Sequence, residues 1–150
     1  MADPEDIRAW QRLDNRITTS GRIEEKDLPR LAAIGVRKVI NLAPESHPDI
    51  LDREGELLAL HGISYVNLPV NFTAPEQAFY DQFVAEIDRD LMPVHVHCVA
   101  NYRVSAFFYR YNRGKGMPEE KARALMERHW SPGTSDQLTV RPWAEFISGG

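Results

Sequence analysis

The chain contains a single cysteine, which excludes an internal disulfide and leaves one thiol, Cys98, to be explained. Positive charge is not in excess: 18 Lys and Arg against 22 Asp and Glu give a net charge of −4 and a pI near 5.7. No broad cationic surface is available to attract nucleic acid or an acidic membrane, so any anion site must be local. No apolar run approaches the roughly 18 residues of a membrane span. The opening "MADPEDIRAWQRL" lacks the basic-then-apolar layout of a signal peptide. A cytoplasmic protein with neither nucleic-acid nor membrane partners is therefore expected. Repeats, low-complexity tracts and linkers are also missing. With 150 residues, 43% apolar and 27% charged, and a mean hydropathy of −0.43, the sequence predicts one globular domain spanning residues 1–150.

Short apolar runs alternate with amphipathic segments, the pattern of a parallel sheet covered by helices. Four strands are predicted, in "RITTSG" (16–21), "VRKVINL" (36–42), "ISYVNLPV" (63–70) and "PVHVHC" (93–98). The expected class is α/β, three-layered, with a short, mostly parallel sheet of about four strands and helices on both faces. "EEKDLPRLAAIG" places Leu28, Leu31, Ala32 and Ile34 on one helical face and ends on Gly35, suited to a left-handed closing position. Leu51, Leu57, Leu58 and Leu60 have helical spacing between Pro48 and Gly62. Thr73 and Glu76 form a capping box that would start a helix at about Pro75, burying Phe79, Tyr80, Phe83, Val84 and Ile87. Further helices are expected from near Arg103 to Arg113, closed by Gly114, from Pro118, and over residues 140–147 through Trp143, Phe146 and Ile147.

This map puts Cys98 at the carboxyl end of a strand and the next residues at the start of a helix. Ligands of open parallel sheets bind outside the carboxyl ends of strands. A helix start offers unpaired N–H groups and a partial positive charge that hold a phosphate and favour a thiolate over a thiol. The stretch "VHVHCVANYRVS" (94–105) therefore reads as an anion-binding loop carrying a nucleophile. The plainer reading of Cys98, a small buried hydrophobe, is the alternative.

His97-Cys98, the short loop, Arg103 and Ser105 resemble the phosphate loop of the cysteine-dependent protein tyrosine and dual-specificity phosphatases. The stretches "TSGRIEEKDLPRLAAIGVRKVINLAPE", "GISYVNLPV", "VHVHCVANYRVSAFFYRY" and "HWSPGTSDQLTVRPWAEFI" are similar to a bacterial branch, the beta-lactamase-hydrolase-like phosphatase domain. The resemblance implies phosphomonoester hydrolysis through a phosphocysteine, without metal or organic cofactor, on a phosphorylated protein or small molecule. It makes Cys98 the nucleophile and Arg103 a bidentate phosphate clamp. Ser105 would ease departure of the sulfur, the loop amides of Val99, Ala100, Asn101, Tyr102 and Arg103 would bind phosphate, and His97 would support the loop from below.

Two departures from that family pattern stand out. Only Val99, Ala100, Asn101 and Tyr102 separate Cys98 from Arg103, one residue fewer than usual, which rotates Arg103 by about 100° if it is already helical. The mid-loop glycine is missing too, although Asn101 tolerates left-handed angles. The segment that normally supplies an acidic proton donor reads "NFTAPE", without Asp; Glu45, Asp49 and Asp52 are the substitutes at hand. The short loop also raises a rhodanese-like sulfurtransferase, and the missing acid a catalytically weak phosphate-binding module.

Other residues have structural readings. His95 and His97, which share a strand face, could join Cys98, His61 or His129 around zinc, but hydrogen-bonded core histidines are the expectation. Phe107, Phe108, Tyr109 and Tyr111 read as helix packing, Tyr102 as a pocket rim or an exposed side chain, and Arg110, Arg113 and Lys115 as a solvated face at a helix end. Arg22, beside Gly21, is expected to approach the site, since its strand lies near the central one in the fold that the resemblance implies. No motif sets the oligomeric state.

Overall fold

Alternation along the central strand organises the molecule: Val94 and Val96 enter one core, while His95 and His97 face the other way. The computed structural model describes residues 2–134 and 140–149. Its strands are β1 (Gln11–Arg12), β2 (Ile17–Ser20), β3 (Lys38–Asn41), β4 (Ser64–Asn67) and β5 (Val94–His97), ordered β1-β2-β5-β3-β4. All neighbours are parallel except β1 and β2. The four predicted strands are present; the two-residue antiparallel edge β1 makes the sheet five-stranded rather than four, being too short to carry a periodic signal.

The helices are α1 (Leu28–Ala33), α2 (Glu54–Ala59), α3 (Gln77–Asp88), α4 (Tyr102–Gly114), α5 (Glu119–Glu127) and α6 (Arg141–Ser148). One layer packs Phe83, Ile87, Phe107, Phe108, Trp143 and Phe146 against Ile40, Val94 and Val96. The opposite layer packs Leu28, Leu31 and Leu58 against Val39 and Ile63. Both faces of the sheet are thus covered, as the class requires. Among the described residues, no helix is long and apolar enough to cross a membrane.

Local expectations failed at three places. The helix expected from Pro48 shrinks to α2, because residues 44–50 fold into turns closed by His47 N–H to the Pro44 carbonyl and Ile50 N–H to the His47 carbonyl. Leu60 consequently lies outside the helix and is 80% exposed. The Thr73–Glu76 capping box does not form: Thr73 donates its N–H and hydroxyl to Asn71 Oδ1, and α3 starts at Gln77. Gly114 belongs to α4, and the left-handed closing residue is Gly116 (φ 93°). Gly35, by contrast, is left-handed as expected (φ 95°). Part of the stretch read between residues 129 and 147, namely residues 135–139, lies outside the described residues.

Candidate active site

Register fixes what surrounds Cys98. His97 is level with Ser20 on β2 and Asn41 on β3, so the loop that follows lies between the carboxyl ends of two strands. On the β2 side the approach is backbone to backbone: Arg22 N–H donates to the Val99 carbonyl at 2.9 Å, and a Cβ on Gly21 would stand 2.6 Å from that same oxygen. Gly21→Ala must therefore push residues 99–100 outward. The expected cost is about 2 kcal/mol of stability by denaturant unfolding.

The loop carbonyls are tied outward. His97 Nδ1 meets the Cys98 carbonyl at 3.1 Å, Arg22 N–H takes that of Val99, and the Ser105 N–H and hydroxyl take that of Asn101 at 3.0 and 2.5 Å. The peptide bonds of this loop are trans, so the following N–H groups, those of Val99, Ala100 and Tyr102, point the opposite way. The N–H groups of residues 99–103 make no hydrogen bond to any described residue. Asn101 is left-handed (φ 68°, ψ 12°) immediately before α4, the turn that gathers successive N–H groups into an anion nest. Its side chain braces the turn, with Nδ2 donating to the Ala9 carbonyl (2.9 Å) and Thr19 Oγ1 (3.1 Å). Thr19 and Ala9 were not singled out in the sequence; both are recruited through tertiary contact alone.

Arg103 is the second residue of α4 and only 8% exposed. Its guanidinium lies over the Phe72 ring, 5.2 Å from the centroid, and makes no hydrogen bond or ion pair with a described residue; its Nε is buried and unpartnered. An unpaired buried cation is costly unless an anion joins it. Phe72 belongs to an aromatic group: Tyr102 stacks on Trp130 (5.0 Å, 11°), and Phe72 lies 5.5 Å from Trp130 and 5.9 Å from Trp143. Tyr102 is thus a partly exposed rim (37%) with a packed face. Phe107, Phe108 and Tyr111 pack in the core as expected, while Tyr109 turns its hydroxyl to Glu119.

Cys98 has no exposed surface and contributes to the core beneath the loop. The Ser105 hydroxyl is directed to Asn101, its Oγ lying 3.1 Å from Oδ1 as well as bonding the carbonyl, and so supports the turn. Of the acidic substitutes, all exposed, Glu45 accepts the Tyr65 hydroxyl (3.0 Å) and Asp49 lies 3.9 Å from the Arg22 guanidinium. Asp52 makes no comparable contact. Asp49 is the one connected to the loop, through Arg22.

The two strand histidines differ sharply. The Ser20 hydroxyl spends its proton on the Gly21 carbonyl, so His95 Nε2 must donate to Ser20 while Nδ1 accepts from Thr18, both at 2.8 Å. Burial, with His97 nearby, holds His95 well below the usual histidine range. It is a neutral core residue, stacked on Trp10. His97 is equally buried, and burial alone would lower it, but the charge and hydrogen bond of Glu54 and the Cys98 carbonyl raise it. Glu54, 1% exposed with Oε2 2.7 Å from His97 Nε2, is a functional candidate the sequence reading missed. Its one signal was position, four residues before buried Leu58 on the same helical face. Arg110 and Lys115 are engaged elsewhere: Arg110 lies over Tyr80 and Phe146, and Lys115 pairs with Asp88. Among the described residues no three metal-ligating side chains converge.

No family model and no curated protein matches the chain. Solved structures do. A DUF442 candidate phosphatase from Shewanella putrefaciens CN-32 is 31% identical, with 98% of this chain and 95% of that chain covered at a TM-score of 0.83. P. aeruginosa TpbA, solved with phosphotyrosine, is 17% identical over 99% of this chain and 87% of that one (TM-score 0.73). PTPMT1, solved with PI(5)P, is 18% identical over 93% and 95% (TM-score 0.71). The last two share the fold. The chain belongs to the DUF442 family of protein-tyrosine-phosphatase-like proteins, the superfamily to which the residues around Cys98 had pointed.

Proposed function

We propose that this protein hydrolyses phosphomonoesters through a phosphocysteine on Cys98. The observation that carries the reading is a buried Arg103 guanidinium with no partner among the described residues, on the helix that follows five loop N–H groups which likewise have no acceptor among the described residues. Donors of this number and charge suit a tetrahedral oxyanion. The Cys98 thiolate attacks phosphorus, the P–O ester bond breaks, and the departing oxygen takes a proton from solvent or Asp49. Water then cleaves the S–P bond, releasing inorganic phosphate and regenerating the thiolate. Aryl esters suit the site best, because a phenolate leaves with little help from an acid and Phe72, Tyr102 and Trp130 offer it an aromatic wall. Phosphotyrosine, found with TpbA, is such an ester, whereas the phosphoinositide found with PTPMT1 is an alkyl one.

A specific observation favours a second reading, a phosphate-binding module without turnover: Cys98 has no exposed surface. An aryl phosphate assay separates the two. Turnover that inorganic phosphate inhibits competitively is expected; phosphate binding without turnover establishes the module, and thiocyanate formation from thiosulfate and cyanide would mark a sulfurtransferase instead.

A further inference from the structure

We propose that Glu54 is a positioning residue for the nucleophile loop, holding His97 as a buried imidazolium whose Nδ1–H fixes the Cys98 carbonyl. The argument is one of donor count. His97 Nε2 is 2.7 Å from a Glu54 carboxylate oxygen and Nδ1 is 3.1 Å from a carbonyl oxygen. As a carboxylate Glu54 is an acceptor, as the Cys98 carbonyl is, so with the acid in that form both ring nitrogens carry a proton when both bonds form. A neutral imidazole beside that carboxylate satisfies only one of them. His97 and Glu54 are 0% and 1% exposed, so no solvent compensates for a lost bond.

The surroundings do not supply that second proton by another route. On β5, His95 is locked neutral by Thr18 and Ser20. On β4, Tyr65 donates to Glu45 and accepts from Asn41 of β3, and burial pushes its hydroxyl above the usual range, so it stays neutral. Trp10, which stacks on His95, carries no charge. Among the described residues, Glu54 is the one acid within hydrogen-bond distance of His97. The Cys98 carbonyl belongs to the peptide whose N–H, that of Val99, turns the other way. Anchoring the oxygen from below therefore orients the first donor of the anion nest and the cysteine itself. The inference rests on the phosphatase reading for its catalytic consequence, but not for the protonation state.

The test uses the full chain and Glu54→Gln. Glutamine can donate to His97 Nε2 while Nδ1–H still reaches the Cys98 carbonyl, so the variant keeps the geometry and loses the second proton. Nitrogen-15 NMR at neutral pH should show both ring N–H groups of His97 in the wild type and one in the variant. Turnover of an aryl phosphate should fall about tenfold in kcat with KM within about twofold, as expected of a misdirected reacting group. One ring N–H in wild-type His97 overturns the proposal. So does a variant with unchanged kcat and unchanged affinity for inorganic phosphate. If the wild type turns over no aryl phosphate, the phosphatase reading fails, and the ring protons together with phosphate affinity still decide the role of Glu54.

Discussion

Cys98→Ser should fold as the wild type does, bind inorganic phosphate with similar affinity, and lose aryl phosphate turnover by about 10⁴-fold or more. A hydroxyl is not ionised near neutrality, so the variant lacks the anionic nucleophile, and an alkoxide would be a poorer group for water to displace in the second step. The N–H groups of residues 99–103 and the Arg103 guanidinium are untouched, which is why binding survives. The substitution does put a hydroxyl into a fully buried position against Val96 and its neighbours, at a cost of about 1–2 kcal/mol of stability. Equal turnover by the two proteins would remove Cys98 from the mechanism. Phosphate titrations followed by calorimetry, alongside steady-state kinetics, separate loss of chemistry from loss of the site.

Arg103→Met should move activity and stability in opposite directions. Methionine keeps the length of the side chain and packs on Phe72, where the guanidinium now lies. Turnover should fall by about 10³-fold, the order expected when a charged transition-state donor is lost. In phosphate-free buffer the unfolding free energy should nevertheless rise by about 1–3 kcal/mol, because a buried charge with no acidic partner among the described residues is replaced by an apolar group of similar volume. Added phosphate should raise the melting temperature of the wild type and leave that of the variant nearly unchanged. A variant less stable than the wild type would show that the arginine holds the fold together, and the anion clamp would have to be sought elsewhere.

Much of the scaffold could be read from local pattern. β2, β3, β4 and β5 fall inside the predicted runs, and Asn101 takes the left-handed angle its small polar side chain permits. Failures came where one local preference competed with another of similar size. Asn71 captured the Thr73 hydroxyl before it could cap a helix, and turns around His47 used the chain that leucine spacing had assigned to α2. The close approach of Gly21 to Val99 left no trace in the sequence beyond a glycine after a strand.

The order of strands and helices, the cysteine at a strand end and the histidines on one strand face were fixed by the sequence alone, because period and turn chemistry act over a few neighbouring residues. Tertiary structure decided the rest. Glu54 meets His97 across 43 positions, Asn101 meets Thr19 across 82, and Arg103 comes to lie over Phe72 with no acid beside it among the described residues. Such pairings depend on how the layers pack, and no local preference encodes which distant side chain will share a buried space.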